Sequence, residues 1–326
     1  MKILFFFIIL YSSISAGDGI FYYEEALKAE KISPYFAIPL YETFLEKSEV
    51  GSFRKAAISR LFDLYMQHGK YEDLIILSSK LPLDKKRQKK LQQIFRHIAK
   101  DTDLPEEDIE GFFKDMINGS LGSTKETLNR HMKGKNQLMV NYIFALKFRT
   151  KDFDSLEYLI REYPEINPIL RLAYFVNKEG NEAKEYIRET ASLTELSDEQ
   201  KMELLYLYGI YFMKRKNYAN SARFFMMSAS YDSNEDGRLS GGILSTSKAL
   251  YLTGRKNEAC ALISGKKLNI RNESDEFMRM FCSIEESKKL PKLIGSFSIL
   301  AGRESGQVFE LYIGHNARRK QKVLKK

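Results

Sequence analysis

The residues able to do chemistry fall into a few small groups. Asp232, Asn234, Asp236 and Gly237 lie in the stretch DSNEDGRL, which ends at Leu239. Alternating side-chain oxygens, a glycine turn and an apolar residue make the first half of a calcium loop. The second half needs a bidentate glutamate at the twelfth position, and that position is Ile243. A weak site at best is expected, and a helix-ending loop of turn formers is the plainer reading. Glu304 and Ser305, in GRESGQ, set a carboxylic acid beside a hydroxyl, and glycosidic cleavage needs such an acid. Only 22 residues follow Glu304, too few to shield a carboxylic acid of raised pKa. The histidines are His68, His97, His131 and His315, and none has a second ligand at metal-site spacing. GxSxG, HExxH, Walker A and CxxC patterns are absent. The expectation is a protein with no catalytic residues, no cofactor and no metal.

Behind these candidates stands a chain of 326 residues, 44% hydrophobic and 29% charged. Such a composition supports a substantial core. Its beginning differs from the rest. Lys2 is followed by the apolar run Ile3 to Leu10 and then by small residues around Ser15, Ala16 and Gly17. That layout reads as a secretory signal peptide over 1–16. The run is too short to span about 30 Å of hydrocarbon as a helix, and no cysteine follows it for a lipid anchor. Export to the periplasm is the expectation. Cys260 and Cys282 are the only cysteines. They fall on neighbouring helical segments, so one bridge is geometrically open, the other possibility being two buried thiols.

Net charge is +9. In an exported chain this points to acidic proteins, anionic headgroups or cell-wall polymers, and nucleic acid is not expected. Arg318, Arg319, Lys320, Lys322, Lys325 and Lys326 crowd a basic tail over 318–326. The tail is read either as a solubilising end or as an anionic-surface anchor worth about 1 kcal/mol per charge near an acidic membrane.

Periodicity is helical. Leu204, Leu205, Tyr208 and Phe212 share a face, and Tyr218, Ala222 and Phe225 share another across the polar turn KRKN. Similar helical hairpins are expected at 20–47, 52–81, 84–118, 124–163, 166–190, 199–230 and 240–264, with a closing helix near 274–288. Pro34, Pro105, Pro168 and Pro291 suit helix starts, Pro82 and Pro164 suit ends, and Pro39 suits an early turn. Residues 291–317 are expected as a capping element, either a hairpin of strands or further helices.

One stretch, YGIYFMKRKNYANSARFFMMSAS, sets large residues at Leu205 (just before it), Tyr208, Phe212, Tyr218 and Phe225 against small ones at Gly209, Ser221 and Ser228. This pattern resembles the tetratricopeptide repeat (TPR), a unit of roughly 34 residues. Close helix packing needs small side chains opposite large ones. Ile243, Ser247, Leu250, Gly254, Ala259 and Ile263 repeat it in part. Ile58, Leu61, Tyr65, Gly69 and Tyr71 do so less well, because Phe62, Leu74 and Leu81 stand where small residues belong. The resemblance implies an all-α, right-handed α-solenoid of about seven irregular TPR-like hairpins over 17–290.

The resemblance further implies a partner groove on the first helix of each pair. Its wall would be Asp63 and Met66, then Tyr206, Ile210, Met213 and Lys214, then Lys248, Tyr251 and Leu252. The family's clamp for a C-terminal carboxylate is absent. The functional expectation is a non-enzymatic periplasmic scaffold that binds other envelope proteins, such as those of a flagellar-motor collar or an outer-membrane or cell-wall complex. The alternative is a peptidoglycan-binding accessory related to the helical region of lytic transglycosylases.

Overall fold

In the computed structural model the described residues are 20–48, 51–79, 85–117, 125–132, 137–149, 152–164, 166–178, 182–191, 196–231 and 241–293. Among them the chain is all-helical, with no strand. The elements are α1 (20–30), α2 (Pro34–Lys47), α3 (Gly51–Gln67), α4 (Tyr71–Ser79), α5 (Lys85–Thr102), α6 (Glu106–Ile117), α7 (Lys125–Met132) and α8 (Gln137–Arg149). Then come α9 (Phe153–Glu162), α10 (Pro168–Lys178), α11 (Glu182–Ala191), α12 (Asp198–Lys214), α13 (Tyr218–Ala229), α14 (Gly241–Leu252), α15 (Lys256–Ile263), α16 (Glu273–Phe281) and a closing 3-10 turn, η1 (Ser287–Leu293).

The positions of these helices match the expected spans except at 124–163, where three helices stand in place of two. Pro39 lies inside α2 rather than in its first turn. The helix holds there because Phe36, Ala37, Leu40, Tyr41 and Phe44 around it are fully buried. Pro291 lies within η1 rather than at the start of a helix.

The chain divides into two compact units. Residues up to Leu61 and from Glu195 onward form the first unit, and Phe62–Thr194 form the second.

Four of the turns share one geometry. Backbone N–H groups of Lys70, Asn217 and Arg255 donate to the carbonyls of Tyr65, Phe212 and Leu250 at 2.9, 2.9 and 3.0 Å, five residues back. The residue before each donor takes positive φ: Gly69 (63°), Lys216 (58°) and Gly254 (86°). This is the Schellman stop, which satisfies helix-end carbonyls and favours glycine at the left-handed position. Asp103 (φ 53°) makes the same turn between α5 and α6, with Leu104 donating to Ala99 at 3.2 Å.

In the first unit α13 packs against both α12 and α14, and α14 packs against α15. The small residues explain the closeness. A Cβ placed on Gly209 would sit 2.4 Å from the Phe225 ring, and one on Gly242 would sit 2.7 Å from the Phe225 carbonyl. Ser221 Oγ donates to the Gly209 carbonyl at 2.8 Å, and Ser247 Oγ donates to the Ala259 carbonyl at 2.8 Å. Each bond spans 12 residues. In each hairpin one helix supplies a serine and the other a residue with little or no side chain, so hydroxyl meets backbone across the contact. Ser228 Oγ donates likewise to Met202.

α16 packs against α2 as well as α14, a contact between the two ends of the helical sequence that nearest-neighbour stacking does not foresee. Its Phe277, Met278 and Met280 are buried, and no further hairpin among the described residues covers them. α1, α2 and α3 are tied by Glu30, which accepts from Tyr41 Oη at 2.7 Å and from Arg60 Nη1 at 3.0 Å. Burial and that carboxylate push the Tyr41 hydroxyl well above its ordinary pKa.

The second unit packs differently. α6 lies against α4 and α5, α8 against α9 and α10, and α10 against α11. Aromatic pairs fill its interior, with Phe95 and Phe113 stacked at 5.6 Å. Polar side chains clamp its elements together. Asn129 on α7 accepts from Tyr158 and Tyr163 hydroxyls at 3.0 and 2.7 Å. Arg171 on α10 donates to the carbonyls of Tyr163 and Pro164.

Candidate functional site

The residues expected to line a groove do not share one environment. Tyr206, Ile210, Met213 and Lys214 do share the half-buried outer side of α12. The Tyr206 ring rests on Phe225 at 5.0 Å, and its hydroxyl shares a hydrogen bond with Ser245 Oγ at 3.0 Å. Half of this side chain is therefore helix–helix packing.

Lys248 and Tyr251 need correction. Tyr251 is 2% exposed, wedged against Phe277 and Phe281 at 5.7 and 4.9 Å. Lys248 forms an ion pair with buried Asp275. Both face α16, which folds over α14 where an open wall was expected. Leu252 beside them stays half-buried. Asp63 is exposed and Met66 half-buried on the stretch of α3 that belongs to the second unit.

The carboxylates under α16 were not singled out from the sequence. Asp275 also accepts from the Arg271 N–H at 2.9 Å. Glu276 holds Arg279 through two bonds of 2.6 and 2.8 Å, and Arg279 reaches Glu286 as well. Hydrogen bonding to Glu276 keeps the Arg279 guanidinium more firmly protonated than usual. Burial, and then the charges of Glu276 and Asp275, push the Tyr35 hydroxyl up. Two buried acids side by side suggest acid–base chemistry, but each is already matched by a cation and by hydrogen bonds. The arrangement is that of a structural ion-pair network.

Next to the network is a pocket of about 220 Å³, lined in part by Ser264, Lys266, Arg279, Ser283 and Glu286. Cys282, also on its wall, is bonded to Cys260, with Cα atoms 5.0 Å apart. The bridge fastens α15 to the end of α16.

The histidines occupy separate places. His131 Nε2 lies 2.7 Å from Asp115, with its ring edge-on to Phe112. His97 stacks on Tyr71 at 5.9 Å, and His68 sits in the α3–α4 turn. Among the described residues no three His, Cys, Asp or Glu side chains group to hold a metal ion. The stretch 232–239, Glu304, Ser305, His315, the basic tail (Arg318, Arg319, Lys320, Lys322, Lys325, Lys326) and the 1–16 leader lie outside the described residues.

An exposed surface on α13 went unread in the sequence. Met226, Met227 and Tyr231 are each 40% exposed. Arg223, exposed one turn earlier, continues the same side. Lys201 from α12 lies over the Tyr231 ring at 5.7 Å and pairs with Asp198 at 3.0 Å. A signal was present: FFMM sets four large apolar residues in a row, and a helix cannot turn all four inward.

No helix among the described residues is long and apolar enough to cross a membrane. Searches against family models, curated proteins and solved structures find nothing that matches this chain.

Proposed function

We propose that this chain is a non-enzymatic, exported interaction scaffold, an irregular TPR-like solenoid of about seven hairpins that binds other proteins of the cell envelope. The observation that carries the reading is the exposed Met226 and Met227 on α13, with exposed Tyr231 just past its end, beside the half-buried aliphatic and aromatic side of α12. Methionine and aromatic side chains in such positions suit an adaptable protein interface. The Cys260–Cys282 bridge supports export, since disulfides persist in oxidising compartments. The close packing of α12 to α15 supports the TPR-like description. The basic tail adds a contact with an anionic membrane surface or wall polymer. Deleting 318–326 is expected to abolish salt-sensitive binding to vesicles or sacculi.

The test is crosslinked affinity purification of residues 17–326 from the native envelope, followed by proteomics. A few proteins at stoichiometric yield are expected. Recovery of peptidoglycan fragments alone would replace the scaffold with the wall-binding alternative.

A further inference from the structure

Of the two bridged cysteines, Cys282 alone lines the pocket of about 220 Å³ at the end of α16. Both cysteines are half-buried, so neither is sealed in the core. The charged groups on the pocket wall are Lys266, Arg279 and Glu286. Arg279 is matched by Glu286 and by Glu276, whereas Lys266 is exposed on the wall and offers a cation to an arriving thiolate. Half of a disulfide on a polar wall has one reaction open to it at neutral pH, exchange with a thiolate. The size of the pocket suits a thiol no larger than an amino acid.

The bridge also bears on α16. It spans 22 residues, from within α15 to the residue that ends α16. The rest of the hold on α16 is noncovalent. Phe277 and Phe281 lie against Tyr251, Lys256 of α15 lies over the Phe281 ring, and Lys248 pairs with Asp275. Asp275 and Glu276 are buried, and buried acids are tolerated only while their cations stay in place. A helix of nine residues held in this way depends on its covalent tie.

We propose that Cys282 is a thiol-exchange site for a small thiol, and that exchange there unlatches α16 from α14. The thiolate RS⁻ attacks the Cys282 sulfur from the pocket. A bond forms between RS and Cys282, the bond to Cys260 breaks, and its electron pair leaves on Cys260, which takes a proton from water. A second thiolate attacks the RS sulfur, RSSR departs, and Cys282 is left as a thiolate. Two thiols are oxidised to one disulfide while the protein bridge is reduced. Without the bridge, α16 opens more often and bares Tyr251 and Lys248.

The experiment treats the folded, oxidised full chain with 2-mercaptoethanol, quenches with acid and maps the adduct by mass. The first mixed disulfide is expected on Cys282. Ser264 is exposed on the pocket wall, so Ser264→Trp should plug the pocket and slow adduct formation about tenfold or more, while the unfolded variant reacts at the wild-type rate. Hydrogen exchange over 273–281 should speed up about tenfold or more once the bridge is reduced, with α12 and α13 keeping their protection. An adduct on Cys260, a rate indifferent to Ser264→Trp, or reduction only when α12 and α13 unfold as well overturns the exchange site. Unchanged hydrogen exchange over 273–281 in the reduced chain overturns the latch.

Discussion

The α12–α15 block and the second unit, 62–194, both contain Schellman turns but hold their helices together by different means. In α12–α15, small residues let backbones approach until a serine hydroxyl reaches the carbonyl of the facing helix. In the second unit, bulk fills the space. Phe62 and Leu74 occupy the places where Gly209 and Ser221 stand in the later hairpin, and both are buried. Order there comes from stacked rings and from side-chain clamps such as Asn129 and Arg171. A helical hairpin is thus a local product of turn and periodicity. A regular repeat requires, in addition, small residues at the crossing.

The largest expected effect is at the centre of the close-packed block. Phe225→Ala removes a ring that fills the space over Gly209, at a cost of about 3–5 kcal/mol. Denaturant unfolding measures it, and a loss no greater than that of an exposed phenylalanine would undo the account of close packing.

Two helical glycines should then respond with opposite signs. Gly209→Ala drives a methyl into the Phe225 ring and should destabilise by about 1–3 kcal/mol. Gly111→Ala, in α6, meets open space and should stabilise by up to about 1 kcal/mol through helix propensity. Equal signs at the two positions would erase the distinction between the regions.

Asp152 probes the clamps of the second unit. It caps α9 by accepting from the Ser155 N–H at 3.2 Å, and it takes Lys147 Nζ at 2.8 Å. Burial alone would raise its pKa, but the hydrogen bonds from Lys147 and Ser155 outweigh that and hold it below the ordinary value. The folded value lies under the unfolded one, so this stabilisation is present at neutral pH and is lost as pH falls through the folded pKa. Asp152→Ala should cost about 1–2 kcal/mol at neutral pH and much less in acid. A cost independent of pH would show the cap without the charge.

Smaller still, Ser221→Ala and Ser247→Ala should each cost about 1 kcal/mol, since each leaves a buried carbonyl with one hydrogen-bond donor fewer. Matching values would support the equivalence of the two hairpins. A cost at only one would restrict it to that pair.

Much of this was legible beforehand. Helix positions followed from periodicity, and HGKY, KRKN and TGRKN marked turns that the backbone confirms. Gly209, Ser221 and Ser228 announced a tight crossing. Less could be read about the site. Tyr206, Ile210, Met213 and Lys214 were expected on one side of α12 and are half-buried there, Tyr251 and Lys248 were misplaced, and the exposed side of α13 was missed. Tyr251 looks the same in sequence whether α16 covers it or solvent does.

The division of labour has a physical reason. Hydrophobic period, turn chemistry and small-against-large spacing act within about one hairpin, so the sequence by itself determined an all-helical chain and the close crossing at Gly209. Contacts between distant segments depend on which apolar faces remain uncovered once those hairpins exist. The docking of α16 on α2 and α14, the pairing of Cys260 with Cys282, the burial of Asp275 and Glu276 among their cations, and the exposure of Met226 and Met227 were therefore decided only by the tertiary structure.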